Sequence, residues 1–537
     1  MNWKSILQLK FVGVVLALAL TVTIPVGYVA ATEKDSDWGR GDDFANLIVD
    51  PIKTDAGYVS GTMIDVVQRC WIYIPTGEIQ CSSTLLGEVG KAVRVYRGIP
   101  YAAPPVGNLR WKPPQPVTPW EGIRECTEFT PMAAQPFQPL NPFWGNIPES
   151  GMSEDVLYLN VATPAKHQHE RLPVLVWVHG GGLTSGTDSP DGVGNYMGAA
   201  GGYLAASLPN HGVVVVTIQH RIGPIGYMAH PALTAESPHH ASGNYGQLDL
   251  IAALQWVKKN IAAFGGDPHK VMFFGQSGGG AKTNWLMASP LSEGLFQSAK
   301  CESGFSTGGS PLATTEQYGV NLAVKLGITD TGAAGLAAMR AKTWQQIVTA
   351  ANTPPLNYIS TFTVDGWSLT DTIANIFAAG KDHDVPYIVG YAGAEIGASN
   401  PARGQLLVTM SKQRKSPIYT YVYTQVPDGW KSQGVFAWHG SDVASEFGDT
   451  VALKLFPGAL LPITLTSDPG VTEKDVWVSE FMMSMLAHFA KTGDPSVRDM
   501  GVHWPAYTDP QQYYLDIGFR PLVKPGYSTL VTPQPPR

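Results

Sequence analysis

One stretch limits the fold of this chain more than any other. A continuous apolar run, residues 271–274 (VMFF), passes directly into Gly275-Gln276-Ser277-Gly278-Gly279 and then into a helix-forming run, residues 281–287 (AKTNWLM). Apolar side chains that do not alternate with polar ones suit a strand covered on both faces. Glycines flanking the serine permit a bend too sharp for side chains. G-x-S-x-G between a strand and a helix lifts a serine above a sheet edge, where its hydroxyl can act as a nucleophile. The bare pattern is cheap, because residues 304–308 (GFSTG) also fit it. That second copy runs into Gly309-Ser310-Pro311, which cannot start a helix at once, so Ser306 reads as a loop serine and Ser277 as the nucleophile.

The neighbouring segments extend the same architecture. Residues 173–178 (PVLVWV), 212–219 (GVVVVTIQ) and 386–389 (PYIV) read as further buried strands. Between residues 245 and 264, Leu248, Ile251, Leu254, Trp256, Val257 and Ile261 recur at helical spacing. Strand and helix in alternation predict an α/β fold, a mostly parallel sheet covered by helices. The first of these strands ends on His179-Gly180-Gly181-Gly182. A serine hydroxyl attacking a carbonyl needs a base and also donors aimed at the developing oxyanion. The backbone N–H groups of Gly181, Gly182 and Gly278 are the candidates for that oxyanion hole.

Composition narrows the class. The net charge of −7 over 537 residues excludes a strongly basic nucleic-acid binder. The 58 Gly and 42 Pro are dispersed through a chain that is 44% hydrophobic, which argues for a large core behind many turns rather than disorder. At the amino terminus, Lys4 and Lys10 precede an apolar run, residues 11–24, closed by Pro25. At about 1.5 Å per residue that run is roughly 21 Å long, short of a ~30 Å hydrocarbon core. Val29-Ala30-Ala31 offers small residues at a cleavage point. The expectation is a signal peptide (1–31), a flexible leader (32–46) and one domain (47–537), exported to the periplasm or beyond the cell, without stable membrane insertion. Cys70 and Cys81 bracket a hairpin-like segment and are candidates for a disulfide. Cys126 and Cys301 read as buried thiols, and no Cys/His cluster has zinc spacing.

Blocks along nearly the whole mature chain resemble the type-B carboxylesterase family, which includes carboxylesterases and cholinesterases. They are residues 97–107 (RGIPYAAPPVG) with 109–111 (LRW), residues 153–161 (SEDVLYLNV), 243–246 (GNYG), 264–268 (FGGDP), the serine bend, 491–495 (KTGDP) and 504–507 (WPAY). The resemblance implies an α/β-hydrolase fold with antiparallel strands at its amino-terminal side. It also implies a small-molecule ester substrate and a Ser-His-Glu triad, with no metal or organic cofactor. Two departures stand out. Val156, and a position near Ala133, stand where the family carries a disulfide; and Gln276 stands where it usually carries Glu. Loss of that negative charge argues against a choline esterase. Residues 66–90 look like an insertion carrying the extra hairpin.

In this fold the acid and then the histidine follow the nucleophile along the chain. Of thirteen histidines only His383, His439, His488 and His503 do so. His488 lies in a helical run, His383 precedes a strand and His503 precedes Trp504-Pro505, whereas His439 lies in a turn-prone loop resembling the family's histidine block. For the acid, Glu395 follows the 386–389 strand after a short glycine-containing loop, as the family acid does; Asp365, Asp382, Asp384 and Asp442 are its rivals. The 44 residues from Glu395 to His439 are fewer than the family usually carries there, which implies an open pocket tolerant of bulky esters. Other readings of the same constellation are an amidase, a polyester or toxin esterase, or a catalytically silent binding protein.

Overall fold

The strand at residues 172–178 sets the plan, because its side chains point alternately into two separate cores. Val174, Val176 and Val178 join one apolar cluster; Leu175 and Trp177 join the other. A strand enclosed on both faces is most readily apolar throughout, which is why the run shows no period of two. The computed structural model describes residues 50–65, 69–73, 78–82, 92–136, 151–186, 207–356, 358–395, 400–448 and 470–530. The expected signal peptide and the whole of the leader lie outside them.

Among the described residues the central sheet has eleven strands: β1 (Thr62–Asp65), β2 (Ala92–Pro100), β3 (Tyr158–Thr163), β4 (Leu172–Val178), β5 (Val214–Ile218), β6 (Gly266–Gln276), β7 (Ser298–Glu302), β8 (Tyr387–Ala392), β9 (Ile418–Tyr423), β10 (Tyr514–Ile517) and β11 (Leu522–Lys524). Their spatial order is β11-β10-β9-β8-β7-β6-β4-β5-β3-β2-β1. From β5 to β10 every pairing is parallel. The pairings of β1, β2 and β3 at one side, and of β11 at the other, are antiparallel. One face is covered by α1 (Tyr245–Asn260) and α2 (Gly278–Ala288), the other by α3 (Glu473–Thr492).

β7, β9, β10 and β11 have no counterpart among the sequence expectations. β7 reads SAKCE, and its charges hide the strand from an apolarity search, yet all five residues are buried. Lys300 and Glu302 are tolerated there because they pair with each other at 2.5 Å.

The sequence blocks bind the layers together. Arg110, from the first block, grips Glu154, from the second, with Nε–Oε1 at 2.6 Å and Nη2–Oε2 at 2.5 Å. Asn244 of GNYG bonds Thr363 O at 2.7 Å and Ser368 Oγ at 3.0 Å. Where the family disulfide is missing, residues 132–133 and 152–153 pair as a short parallel ladder, so main-chain hydrogen bonds join the segments. Strands Arg69–Tyr73 and Glu78–Ser82 form a separate hairpin in which Cys70 stands opposite Cys81. Cys126 and Cys301 are free and buried.

Candidate active site

β6 delivers Ser277 to α2 through a backbone turn that few side chains accept. Ser277 has φ 58° and ψ −121°, a strained conformation for a residue with a Cβ. Its N–H is held by Glu302 O at 2.7 Å, and its own carbonyl accepts from Ala281 N at 3.0 Å. The flanking glycines are forced by proximity. A Cβ at Gly275 would stand 2.5 Å from Val178 O, and one at Gly279 would stand 2.3 Å from the same oxygen. The bend therefore lies directly on the end of β4.

The loop after β4 is wound just as tightly. Gly181 has φ +79°, and a Cβ there would meet Ser185 O at 2.2 Å. Ser185 N and Ser185 Oγ both bond Gly181 O, at 3.1 Å each. Gly278 packs against Gly182, whose carbonyl oxygen would lie 2.0 Å from an added Cβ. Among the described residues, nothing accepts a hydrogen bond from the N–H of Gly181, Gly182 or Gly278. Three N–H groups with no acceptor among the described residues thus lie in the serine bend and in the loop packed against it, and the one on Gly278 is at the N-terminal end of α2, whose dipole favours negative charge there.

The histidine and the acid arrive from two different loops that are tied to each other. Glu395 ends a 3-10 turn (Gly393–Glu395) after β8, and Ala394 N bonds Ala437 O, two residues before His439, at 2.9 Å. His439 Nδ1 hydrogen-bonds Glu395 Oε1. Glu395 Oε2 accepts from Ser303 Oγ at 2.5 Å and from Ala392 N at 3.1 Å. The other ring nitrogen of His439 faces the bend, 3.4 Å from Gln276 Nε2. Burial alone would lower the imidazole pKa. The hydrogen bond and charge of Glu395, with Asp442 adding to them, outweigh burial and raise it above the usual histidine value.

The rival residues other than Asp442 are engaged or placed elsewhere. Asp365 closes its own turn, accepting N–H bonds from Trp367, Ser368 and Leu369 at 2.9, 2.7 and 2.9 Å. Asp382 pairs with Arg414, and Asp384 accepts from Lys415 N and Ser416 N. His383 bonds Ser289 O at 2.8 Å, while His488 and His503 are exposed. Ser306 lies in an irregular loop, its carbonyl taken by Asn284.

A buried polar cluster beneath the His439 loop escapes the sequence reading. Lys300 of β7 touches Glu302 and Glu446, and lies 5.1 Å over the ring of Tyr421. Tyr421 in turn donates to Asp442 Oδ2 at 2.9 Å. All five side chains are fully or almost fully buried. Burial would discharge Lys300, but the surrounding carboxylates hold it charged. Burial, then repulsion from Glu302, pushes Asp442 up to about 7 and Glu446 well above its usual value. The signal available in the sequence was a lysine and a glutamate inside a short run between two buried segments.

No helix among the described residues is long and apolar enough to cross a membrane. A family model described as the carboxylesterase family matches residues 69–406 and 401–530. The fumonisin B1 esterase of Sphingopyxis macrogoltabida is 37% identical over 309 residues, covering 56% of this chain and 52% of that protein, about half its length. The medium-chain fatty acyl-CoA hydrolase precursor of Anas platyrhynchos is 32% identical over 505 residues, covering 82% of this chain and 87% of the relative. A solved PNB esterase structure is similar with a TM-score of 0.69 at 25% identity, over 88% of this chain and 96% of its own.

Proposed function

The chain belongs to the carboxylesterase family of α/β-hydrolases and is a carboxylic-ester hydrolase, and from that premise we propose that Ser277, His439 and Glu395 are its catalytic triad. The observation that carries this reading is the His439–Glu395 hydrogen bond, formed between residues 44 apart, with the second imidazole nitrogen turned toward the serine bend.

The chemistry follows from that arrangement. Glu395 accepts from Nδ1–H, so Nε2 is the unprotonated nitrogen and takes the proton as Ser277 Oγ attacks the ester carbonyl. The carbonyl oxygen becomes an oxyanion facing the N–H groups of Gly181, Gly182 and Gly278. The imidazolium is stabilised by the Glu395 carboxylate and then protonates the leaving alcohol. Water, deprotonated by His439, attacks the acyl-enzyme, and the same steps in reverse release the acid. Each oxyanion donor lost from such a site typically costs about 10²–10³ in kcat.

The substrate class is a small-molecule ester with bulky groups tolerated. The short 395–439 connection supports this, as does the 37% exposure of the His439 side chain. Residues 187–206, 396–399 and 449–469 lie outside the described residues. The likeness to the fumonisin B1 esterase makes fumonisin B1 a natural first bulky substrate to assay. Two further readings go with this one. The charged, apolar and small residues of segment 1–31 support export, checked by the amino-terminal sequence of the secreted protein. The opposed positions of Cys70 and Cys81 support a disulfide, since directly opposed antiparallel residues stand ~4.5–5.5 Å apart at Cα; mass spectrometry before and after reduction checks it.

The central test is labelling with a serine-directed organophosphonate, followed by assay of Ser277→Ala on p-nitrophenyl esters of increasing acyl length. The adduct is expected on Ser277 and turnover should fall by at least 10³. Labelling of Ser306, or undiminished turnover, overturns the triad. Activity confined to very small esters overturns the open pocket.

A further inference from the structure

α2 carries a second polar group that the hydrolytic steps above leave unused. Lys282, five residues after Ser277, is fully buried, and its ammonium donates to His179 O at 3.0 Å. His179 is the residue immediately before Gly180-Gly181-Gly182. Lys282 thus reaches back from the nucleophile helix to the root of the oxyanion loop.

The surroundings of this lysine are unusual. His220, following β5, packs beside His179 with ring centroids 4.7 Å apart, and both rings are fully buried. His179 Nδ1 lies 3.0 Å from Gly180 O, so the imidazole too contacts the loop. Among the described residues no carboxylate pairs with Lys282. The acid that α1 brings to this layer, Asp249, is bound by Arg221 at 2.6 and 2.8 Å. Gln247 of α1 donates to the Lys282 carbonyl at 3.5 Å and accepts from the Tyr227 hydroxyl at 3.4 Å. Lys300 and Glu302 of β7 belong to the cluster on the other side of the sheet, with Tyr421 and Glu446. Cys301, on α2's side, is held neutral by burial, which pushes its thiol up to about 12. A buried ammonium without a counter-ion is unfavourable in the resting protein, and it becomes favourable where negative charge develops nearby.

We propose that Lys282 is a positioning residue for the oxyanion hole. Through the His179 carbonyl it fixes the direction of the Gly181 and Gly182 N–H groups, and its charge favours the tetrahedral oxyanion over the uncharged ester. This rests on the esterase reading of Ser277. Burial lowers Lys282 to about 7, and burial followed by the Lys282 charge holds His179 and His220 well below the usual histidine value. The lysine is therefore the group in this cluster that changes charge near neutrality, and the effect should weaken as pH rises and the ammonium deprotonates.

The test compares full-length wild type, Ser277→Ala and Lys282→Met, with active sites titrated by an organophosphonate. For Lys282→Met, kcat on p-nitrophenyl butyrate should fall 10- to 100-fold with KM changed less than threefold. The inhibition constant of a trifluoromethyl ketone, which forms a tetrahedral adduct on the serine, should weaken by the same factor. Wild-type kcat should decline on the alkaline side of neutrality, a limb that Lys282→Met lacks. An unchanged kcat per titrated site overturns the proposal. If Lys282→Met yields no folded protein, wild-type ketone affinity decides, and the absence of an alkaline decline overturns the proposal. Undiminished turnover by Ser277→Ala would instead overturn the triad, an outcome that neither Lys282 result can imitate.

Discussion

Ser303 Oγ donates to Glu395 Oε2 at 2.5 Å, so the carboxylate that grips His439 is itself gripped from the end of the neighbouring strand. Ser303 is fixed for this task. Its φ is 46°, a left-handed value, and its N–H bonds Gly390 O of β8 at 2.8 Å. The hydroxyl leaves one carboxylate oxygen free to serve the imidazole.

Replacing Ser303 by Ala removes one of the two donors on Glu395 Oε2 and keeps the Ala392 N–H. A hydrogen bond to a charged group contributes about 1.5–3 kcal/mol. The expected result is roughly a tenfold or greater fall in kcat with KM little changed. Steady-state kinetics per titrated active site checks this. An unchanged kcat would show that Ala392 N–H suffices to orient the acid.

Glu395→Gln should act on rate and pH profile together. The charge that stabilises the imidazolium is lost, and loss of a triad acid of this kind lowers kcat by up to about 10⁴. Because Glu395 raises the His439 pKa, its removal lowers that pKa. The base is active when neutral, so the ascending limb of kcat/KM should move to lower pH even as the plateau falls. A plateau lowered without that shift would assign Glu395 a steric role only.

The apolar frame of the site was legible in the sequence because β4, β5, β6 and β8 are buried on both faces and carry no period of two. The serine bend was legible because Gly275 and Gly279 lie too close to Val178 O for any side chain. Glu395 and His439 needed the family resemblance, since a carboxylate and an imidazole in separate loops leave no local signature. Ser303, Lys282 and the Lys300 cluster were missed for a related reason. Each is a polar residue that is correct only through a partner distant in sequence: Glu395, His179 or Glu446.

Lys300→Met breaks a fully buried ion pair from one side and leaves Glu446 and Glu302 without their cation. Such one-sided losses cost about 3–5 kcal/mol. Urea unfolding of the variant should show a loss of this size. Adding Glu446→Leu should recover part of it, because one of the orphaned carboxyl groups is then gone. If the double variant were less stable than Lys300→Met by the full cost of a second core lesion, the two residues would not be acting as a pair.

Asp442 links this cluster to pH. Burial, followed by repulsion from Glu302, raises its pKa in the folded chain to about 7, against about 3.9 for an unfolded aspartate. A group raised in this way binds its proton more tightly when folded. Its contribution to stability is therefore fully present below about pH 4 and is lost as pH rises through about 7. Asp382, raised to about 6 by burial, has the same sign, so some slope will remain when Asp442 is removed. Asn at position 442 keeps an oxygen for Tyr421 and cannot titrate. The expected outcome is that Asp442→Asn loses less melting temperature than wild type between pH 5 and pH 8. Thermal unfolding of both proteins at the two pH values checks this, and parallel shifts would mean that Asp442 does not titrate in this range.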